Sequence, residues 1–168
     1  MARLLLIAGS ETTTNLICLG VRQLARDKEL ADALRRDPEM IRSFTEELLR
    51  FDGPTTAVLR LLKEDVTLHG VTLKRGERVV LFLGSANRDE EQFEDPDRFD
   101  MTRSNAHLGF GKGNHFCIGA TLARLEFRVV VEEMLKRYSD LRIGERGFEQ
   151  SAMILQVFRR FDLETTLA

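Results

Sequence analysis

The segment from His107 to Gly119, with the sequence HLGFGKGNHFCIG, decides the fold of this 168-residue chain. Three glycines stand at every second position ahead of Cys117: Gly109, Gly111 and Gly113. Glycine loses more backbone entropy on ordering than any other residue, so this run cannot form a stable helix interior. A strongly periodic apolar segment begins at Gly119. We therefore predict that residues 107–119 form a tight loop, called the cysteine loop below, that presents Cys117 at the start of a helix.

A cysteine in that position is held in an environment that favours its thiolate form. The positive end of the helix dipole and the free backbone N–H groups of the first turn both stabilise an anionic sulfur. The thiolate is also the form in which cysteine binds a metal. The alternative is a structural cysteine beside a glycine-rich turn, because free cysteines are often buried core residues.

Residues 110–119, FGKGNHFCIG, resemble the haem-ligating loop of the cytochrome P-450 family, the haem-thiolate monooxygenases. Residues 123–126, ARLE, are similar to the sequence that follows this loop in bacterial members. The resemblance implies that Cys117 is the metal ligand of haem b, which is iron protoporphyrin IX. It also implies that the surrounding loop residues bind the cofactor: Phe110, Gly111, Gly113 and Gly119.

The composition is that of a soluble globular protein, with 43% hydrophobic and 31% charged residues and a net charge of -2. Lysine and arginine are spread along the chain, so we expect neither nucleic acid nor an anionic membrane as a partner. Cys18 and Cys117 make no disulfide framework and suit a reducing compartment, so we expect a cytoplasmic protein. The apolar run Leu4–Ile7 is too short to span a bilayer. We expect one domain, residues 1–168, mainly α with a small β region.

Residues from about Ala2 to Ala25 are predicted to form one helix, which a central glycine and three threonines weaken. Residues 8–13, AGSETT, resemble the part of the family's long central helix that crosses the distal face of the haem. The resemblance implies that Glu11 and Thr12 are a catalytic acid–alcohol pair that handles protons near bound dioxygen. Ala8 and Gly9 would leave room for oxygen and substrate. From the residues alone, a surface glutamate beside a threonine-rich kink is equally compatible.

Two further helices are predicted, the first from Asp27 to about Arg36. Asp37 and Pro38 then give the N-cap and first position of a helix that reaches about Arg50 and stops at residues 52–54, DGP.

Glu47 and Arg50 lie three residues apart on that helix and share a face, where such pairs are usually surface salt bridges of about 0.2–0.5 kcal/mol. The sequence Glu47-Leu48-Leu49-Arg50 resembles the family's ExxR motif. There the pair is buried and joined by a second arginine, whose position Arg98 matches. The implied role is structural, because this network fixes the segment that positions the cysteine loop.

A small β region follows this helix. The segments 66–68 and 71–73 are predicted to form a hairpin around His69-Gly70, and residues 78–83 a buried strand. The resemblance implies that Arg60, in the preceding segment 55–62, and His107 contact the haem propionates. A planar guanidinium can bind a carboxylate through two hydrogen bonds.

The segment from Ile118 to about Arg137 is predicted to be a core helix. Its apolar face is expected to consist of Ile118, Leu122, Leu125, Val129 and Met134. Short strands are expected from Asp140 onward. Residues 155–163 match the family's late substrate-facing loop, but Val157 and Asp162 stand where bacterial relatives usually have Gly and Pro, which puts the turn geometry in doubt.

The resemblance covers nearly the whole chain but only the C-terminal portion of the family's domain. It implies a monooxygenase, possibly truncated, that oxidises a small organic substrate with dioxygen and two electrons from a ferredoxin or flavoprotein. The alternatives are a haem-binding module without turnover and an inactive fragment. We also expect self-association or a complementing chain, because Leu4–Ile7 and the apolar face through Leu16, Ile17 and Leu24 would otherwise be exposed.

Overall fold

A computed structural model describes residues 2–104 and 106–168, with side chains from Leu5 onward except at position 152. The helices are α1 (Ala2–Arg26), α2 (Lys28–Arg36), α3 (Ile41–Asp52), α4 (Leu83–Ala86) and α5 (Ala120–Arg137), with 3-10 turns at Pro38–Met40 and Gly113–His115. The strands are β1 (Ala57–Leu61), β2 (Val66–Leu68), β3 (Val71–Leu73), β4 (Arg78–Phe82), β5 (Tyr138–Ala152) and β6 (Gln156–Leu167). The fold is thus mainly α with small sheets, as predicted. Within the described residues, no helix is both long and apolar enough to cross a membrane.

Local sequence signals set the helix starts. The Asp27 carboxylate caps α2 by accepting a hydrogen bond from the Leu30 N–H at 2.9 Å. Asp37 accepts a bond from the Glu39 N–H at 3.2 Å and is followed by Pro38, which opens a 3-10 turn ahead of α3. The predicted start at Asp27 is confirmed, whereas the capped start at Asp37 opens only the 3-10 turn and the α-helix itself begins three residues later than predicted, at Ile41.

The core lies where α1 and α3 pack against α5 and the start of β5. It is formed by fully buried apolar side chains, among them Leu16, Leu19, Phe44, Leu48, Phe127 and Val131. The rings of Phe44 and Phe127 lie 5.8 Å apart, and a Cβ at Gly20 would lie 2.5 Å from the Phe127 ring. Gly20 therefore lets α1 approach α5 closely. The expectation that Leu16 and Leu24 are exposed is wrong, because the C-terminal half of α1 is part of this core.

The predicted core face of α5 is also wrong. Ile118, which precedes the helix, is 96% exposed, and Leu122 and Leu125 are more than half exposed. The residues that pack against α1 and α3 are instead Phe127, Val131 and Leu135. Apolar residues occur all around this helix, so periodicity alone could not identify the side that α1 and α3 approach.

The described strands form three antiparallel pairs: β1 with β4, β2 with β3, and β5 with β6. The predicted β2–β3 hairpin is confirmed, and its turn residues His69 and Gly70 both have positive φ. The expectation that residues 78–83 form a buried strand is wrong, since Val80, Leu81 and Phe82 of β4 are 42–62% exposed. The β1–β4 sheet has only two strands, and these β4 side chains are not covered by other described segments.

The C-terminal region forms one long irregular hairpin rather than several short strands. It packs on α1, where the Phe158 N–H donates to the Asn15 side-chain oxygen at 2.9 Å. The Arg22 guanidinium lies 5.4 Å from the ring centre of Phe148 and 5.6 Å from that of Phe158. The tip of the hairpin contacts the segment ahead of β1, because the Ile154 carbonyl accepts a bond from Thr56 N–H at 3.0 Å. An isolated antiparallel bridge between Leu155 and Thr55 also joins the hairpin tip to this segment.

Candidate active site

A cavity of about 490 Å³ lies between α1, the β1–β4 sheet and the cysteine loop. From the loop it is lined by Phe110, Gly111, Lys112, His115 and Cys117. From α1 it is lined by Ala8, Thr12, Thr13 and Leu16, and from the sheet side by Thr55, Val58, Arg60, Leu81 and Leu83. The exposed area of the wall is mainly apolar, as is usual for small-molecule and cofactor sites, but the wall also carries three threonines and the basic side chains Arg60, Lys112 and His115.

The cysteine loop is held by its own backbone hydrogen bonds. Cys117 N–H donates to the Phe110 carbonyl at 2.9 Å, and Gly111 N–H donates to the Leu108 carbonyl at 2.8 Å. Gly111 and Gly113 have φ values of 74° and 65°, which side chains disfavour. The glycine-shaped turn predicted from the sequence is therefore present, and it leaves the Cys117 thiol free and exposed at the cavity.

A third loop glycine, Gly109, serves close packing rather than an unusual backbone angle. A Cβ at this position would lie 2.9 Å from the Leu49 carbonyl oxygen of α3. Leu108 N–H next to it donates to the side-chain oxygen of Asn87 at 2.7 Å. The loop is thus attached directly to α3 and to the residue that follows α4.

The N-terminus of α5 lies beside the cysteine. The helix begins at Ala120, two residues later than predicted, and Gly119 caps it. Ala120 N–H donates to the Cys117 carbonyl at 3.3 Å, and a Cβ on Gly119 would lie 3.9 Å from Cys117 Sγ. The positive end of an 18-residue helix therefore lies next to the thiol.

Only part of the α1 motif contacts the cavity. Ala8 and Thr12 line it, and Thr12 Oγ1 donates to the Ala8 carbonyl at 2.6 Å. Glu11 is exposed and, like Gly9, is not part of the cavity wall. Thr13, which is only 8% exposed, also lines the cavity although the sequence argument gave it no role.

The two predicted propionate contacts differ in the structure. Arg60 lines the cavity, with Nη1 donating to the Leu59 carbonyl at 2.9 Å. The His107 side chain is 4% exposed and does not line the cavity. Its Nε2 lies 3.1 Å from Glu46, and its Nδ1 accepts a bond from Gly109 N–H at 3.0 Å. Both ring nitrogens thus have partners inside the protein, and the propionate contact of His107 stays a prediction.

The cavity also includes two loop residues that the sequence argument missed, Lys112 and His115. The available signal was position, because His115 stands two residues before Cys117 in the same tight turn.

Glu47 and Arg50 form an ion pair with no solvent exposure, with Nη2 of Arg50 2.7 Å from the carboxylate. All five Arg50 N–H groups have acceptors. Nε and Nη2 donate to Glu47, and the remaining bonds reach the backbone carbonyls of Asn87, Pro96 and Arg98. The Glu47 carboxylate has a backbone donor as well, because its Oε1 also accepts a bond from Asp100 N–H at 2.8 Å. The pair thus ties α3 to the segment 87–100.

The Arg98 side chain is not a member of this network. It is 69% exposed, and its nearest acid is Asp100 at 3.4 Å; only its backbone carbonyl reaches Arg50. Arg103 takes the place that was predicted for Arg98, since its side chain is 12% exposed and its Nε lies 3.5 Å from Glu47. The guanidinium of Arg103 also donates to the backbone carbonyls of Glu94 and Asp95.

A second, partly buried carboxylate, Glu46, adjoins the first and was missed by the sequence argument. Arg124 of α5 donates two hydrogen bonds to the Glu46 carboxylate, of 2.6 and 2.8 Å, and His107 provides a third contact. Burial opposes ionisation of Glu46, but the hydrogen bonds from Arg124 and His107 outweigh it and lower the pKa to about 2. The same Glu46 hydrogen bonds raise the pKa of Arg124. Both groups are therefore charged throughout the physiological range.

Comparison with known proteins gives a family for this architecture. The cytochrome P-450 family model matches residues 2–151. The biotin biosynthesis cytochrome P-450 of Bacillus subtilis is 46% identical over 143 residues, which are 84% of this chain and 36% of that protein. A steroid C26-monooxygenase of Mycobacterium tuberculosis is 43% identical over 141 residues, which are 83% of this chain and 38% of that protein.

The fold comparison agrees. A solved cytochrome P-450 of Chondromyces apiculatus superposes with a TM-score of 0.94 at 38% identity, covering all of this chain and 44% of that one. The chain therefore spans well under half the length of these relatives. On the family match, the sequence identity and the common fold, the chain belongs to the cytochrome P-450 family.

Proposed function

We propose that this chain carries the thiolate side of a haem monooxygenase that oxidises a small organic substrate with dioxygen and two electrons. The observation that carries the proposal is the free Cys117 thiol, which faces an apolar cavity opposite Thr12 of α1. Ferredoxin or a flavoprotein is the proposed electron donor.

The residues present fit a haem. Cys117 offers an uncommitted sulfur beside a helix N-terminus, and the loop around it has no side chain at Gly111 or Gly113 that would block a flat macrocycle. A cavity of about 490 Å³ is within the range of small-molecule and cofactor sites. Arg60 and His115 at its wall could hold the two propionates, because the guanidinium and the ring N–H can donate hydrogen bonds to carboxylate groups. When bound, the haem would supply the iron that activates dioxygen.

The protein's own groups would manage protons on the opposite wall. Thr12 Oγ1 is at the cavity surface, where it could hold a proton between the Ala8 carbonyl and a bound ligand. Glu11, one residue earlier and exposed, could exchange protons with solvent.

The substrate is proposed only as a small, largely apolar molecule, which follows from the apolar cavity wall. Large apolar side chains are exposed on three elements, including Leu6 at 71%, Phe82 at 62% and Ile118 at 96%. Exposed apolar surface of this kind usually marks an interface. We therefore propose that turnover requires self-association or a complementing chain that covers these faces.

One observation favours the second candidate, a haem-binding module without turnover. Glu11, the acid of the proposed proton pair, does not line the cavity. Proton delivery would then lack its acid, although the thiolate site would be intact.

Haem titration followed by dioxygen consumption separates these candidates. Haem bound through a thiolate, with dioxygen uptake that depends on a reduced electron donor, supports the monooxygenase. Thiolate binding without uptake supports the module. Failure to bind haem would refute both, and a Thr12→Ala variant that retains coupled uptake would refute the proposed role of that hydroxyl.

A further inference from the structure

Helix α3 carries two adjacent glutamates that attach it to two different segments. Glu47 binds Arg50 and the Asp100 N–H and so holds the segment 87–100. Glu46 instead binds His107 and Arg124, which belong to the cysteine loop and to α5. The first pair is explained by the buried network described above. The contacts of Glu46 hold the cysteine loop and α5, and the proposed function assigns them no role.

Arg124 is held in one orientation by this second pair. Its Nε and Nη2 donate to the two Glu46 oxygens at 2.6 and 2.8 Å, and Nη1 donates to the Ala120 carbonyl at 3.4 Å. A paired, planar contact of this kind fixes the plane of the guanidinium as well as its position. The Glu46 side chain is 19% exposed and that of Arg124 35%, so the pair is partly shielded from solvent.

The fixed guanidinium lies against the cysteine loop. Its central carbon is 4.5 Å from the ring centre of Phe110, which is cation–π geometry. The backbone carbonyl of Phe110 accepts the Cys117 N–H at 2.9 Å. A continuous set of contacts therefore runs from Glu46 through Arg124 and Phe110 to the backbone of Cys117.

His107 supports the same loop from the other end. Its Nε2 contacts the Glu46 carboxylate, and its Nδ1 accepts a hydrogen bond from Gly109 N–H. The backbone ahead of Phe110 is therefore linked to the same carboxylate through the His107 ring. The loop is thus held to Glu46 both through its backbone at Gly109 and through the Phe110 ring.

We propose that Arg124 is a positioning residue, which holds Phe110 and thereby fixes the backbone of Cys117 in the orientation that a thiolate ligand needs. The inference rests on the proposed function for the role of Cys117, but the positional claim concerns this chain alone. Its matched control is Arg128, one turn further along α5. Arg128 also pairs with carboxylates, Glu132 and Glu39, but these contacts lie outside the cysteine loop.

The first test uses haem-free protein and compares Arg124→Gln, Arg124→Lys and Arg128→Gln with the parent. Hydrogen exchange of backbone amides in residues 107–119 is measured by mass spectrometry, with circular dichroism as the check on folding. We expect exchange to be at least about tenfold faster in both Arg124 variants and unchanged in Arg128→Gln. Lysine should not rescue, because it keeps the charge but lacks the planar fork that grips Glu46 and stacks on Phe110.

The second test uses haem-loaded protein. Reduced, carbon monoxide-treated Arg124→Lys should show a smaller fraction of the thiolate-type Soret band than Arg128→Gln, together with a changed midpoint potential. Exchange and spectra of folded Arg124→Lys that match those of Arg128→Gln would overturn the proposal. If Arg124→Gln does not fold, Arg124→Lys decides alone. If the parent binds no haem, the proposed function fails, whereas the exchange test still decides the positional claim.

Discussion

Replacing Arg50 with alanine tests the buried network most severely. The change removes five donors at once and leaves the Glu47 carboxylate with the Asp100 N–H and the more distant Arg103 Nε at 3.5 Å. It also deprives three backbone carbonyls, those of Asn87, Pro96 and Arg98, of a buried donor. Removing one member of a buried ion pair costs about 3–5 kcal/mol, since the remaining charge stays desolvated.

That cost is large compared with the stability of a typical domain, which is about 5–15 kcal/mol. For a chain of this size it corresponds to a fall in melting temperature of roughly 6–20 °C. The assay is urea unfolding followed by far-UV circular dichroism, with Arg98→Ala as the control. The exposed Arg98 side chain should change the free energy of unfolding by less than about 0.5 kcal/mol. Equal losses in the two variants would refute the assignment of Arg50 and not Arg98 to the network.

Three further predictions concern the core, the second glutamate and assembly. Gly20→Ala should be about 1–3 kcal/mol less stable in urea unfolding than Gly9→Ala, because the new methyl meets Phe127 at 2.5 Å in one case and open space in the other; equal stabilities would contradict the close packing. Glu46→Gln should lower the free energy of unfolding near neutral pH. Because the folded-state pKa of Glu46 is depressed to about 2, the difference from the parent should shrink as pH falls from about 4.3 towards 2, and a constant difference over that range would refute the ion pair. Light scattering at micromolar concentration should show self-association, because apolar side chains such as Ile118 are exposed; a stable monomer would contradict this.

The sequence predicted best what neighbouring residues determine. Helix starts at Asp27 and Asp37 depend on a single capping side chain, and the turn at His69-Gly70 depends on local backbone angles. The glycines around Cys117 could likewise be interpreted directly, because their positive φ values exclude most other residues.

The errors arise where distant segments decide the outcome. Arg98 and Arg103 are both close in sequence to the family's position, and only the path of the chain beyond Pro96 determines which one points towards Glu47. Likewise, the buried side of α5 depends on how α1 and α3 approach it, which a helix with apolar residues on every side does not encode.

The most direct measurement is the absorbance spectrum of the reduced, carbon monoxide-treated protein after haem addition, recorded for the parent, Cys117→Ser and Cys18→Ser. Cys18 is the matched control, because it is the second free cysteine and burial raises the pKa of its thiol. We predict a red-shifted, thiolate-type Soret band in the parent and in Cys18→Ser, and its loss in Cys117→Ser. A thiolate-type band that survives in Cys117→Ser, or disappears in Cys18→Ser, would contradict the assignment of Cys117 as the iron ligand.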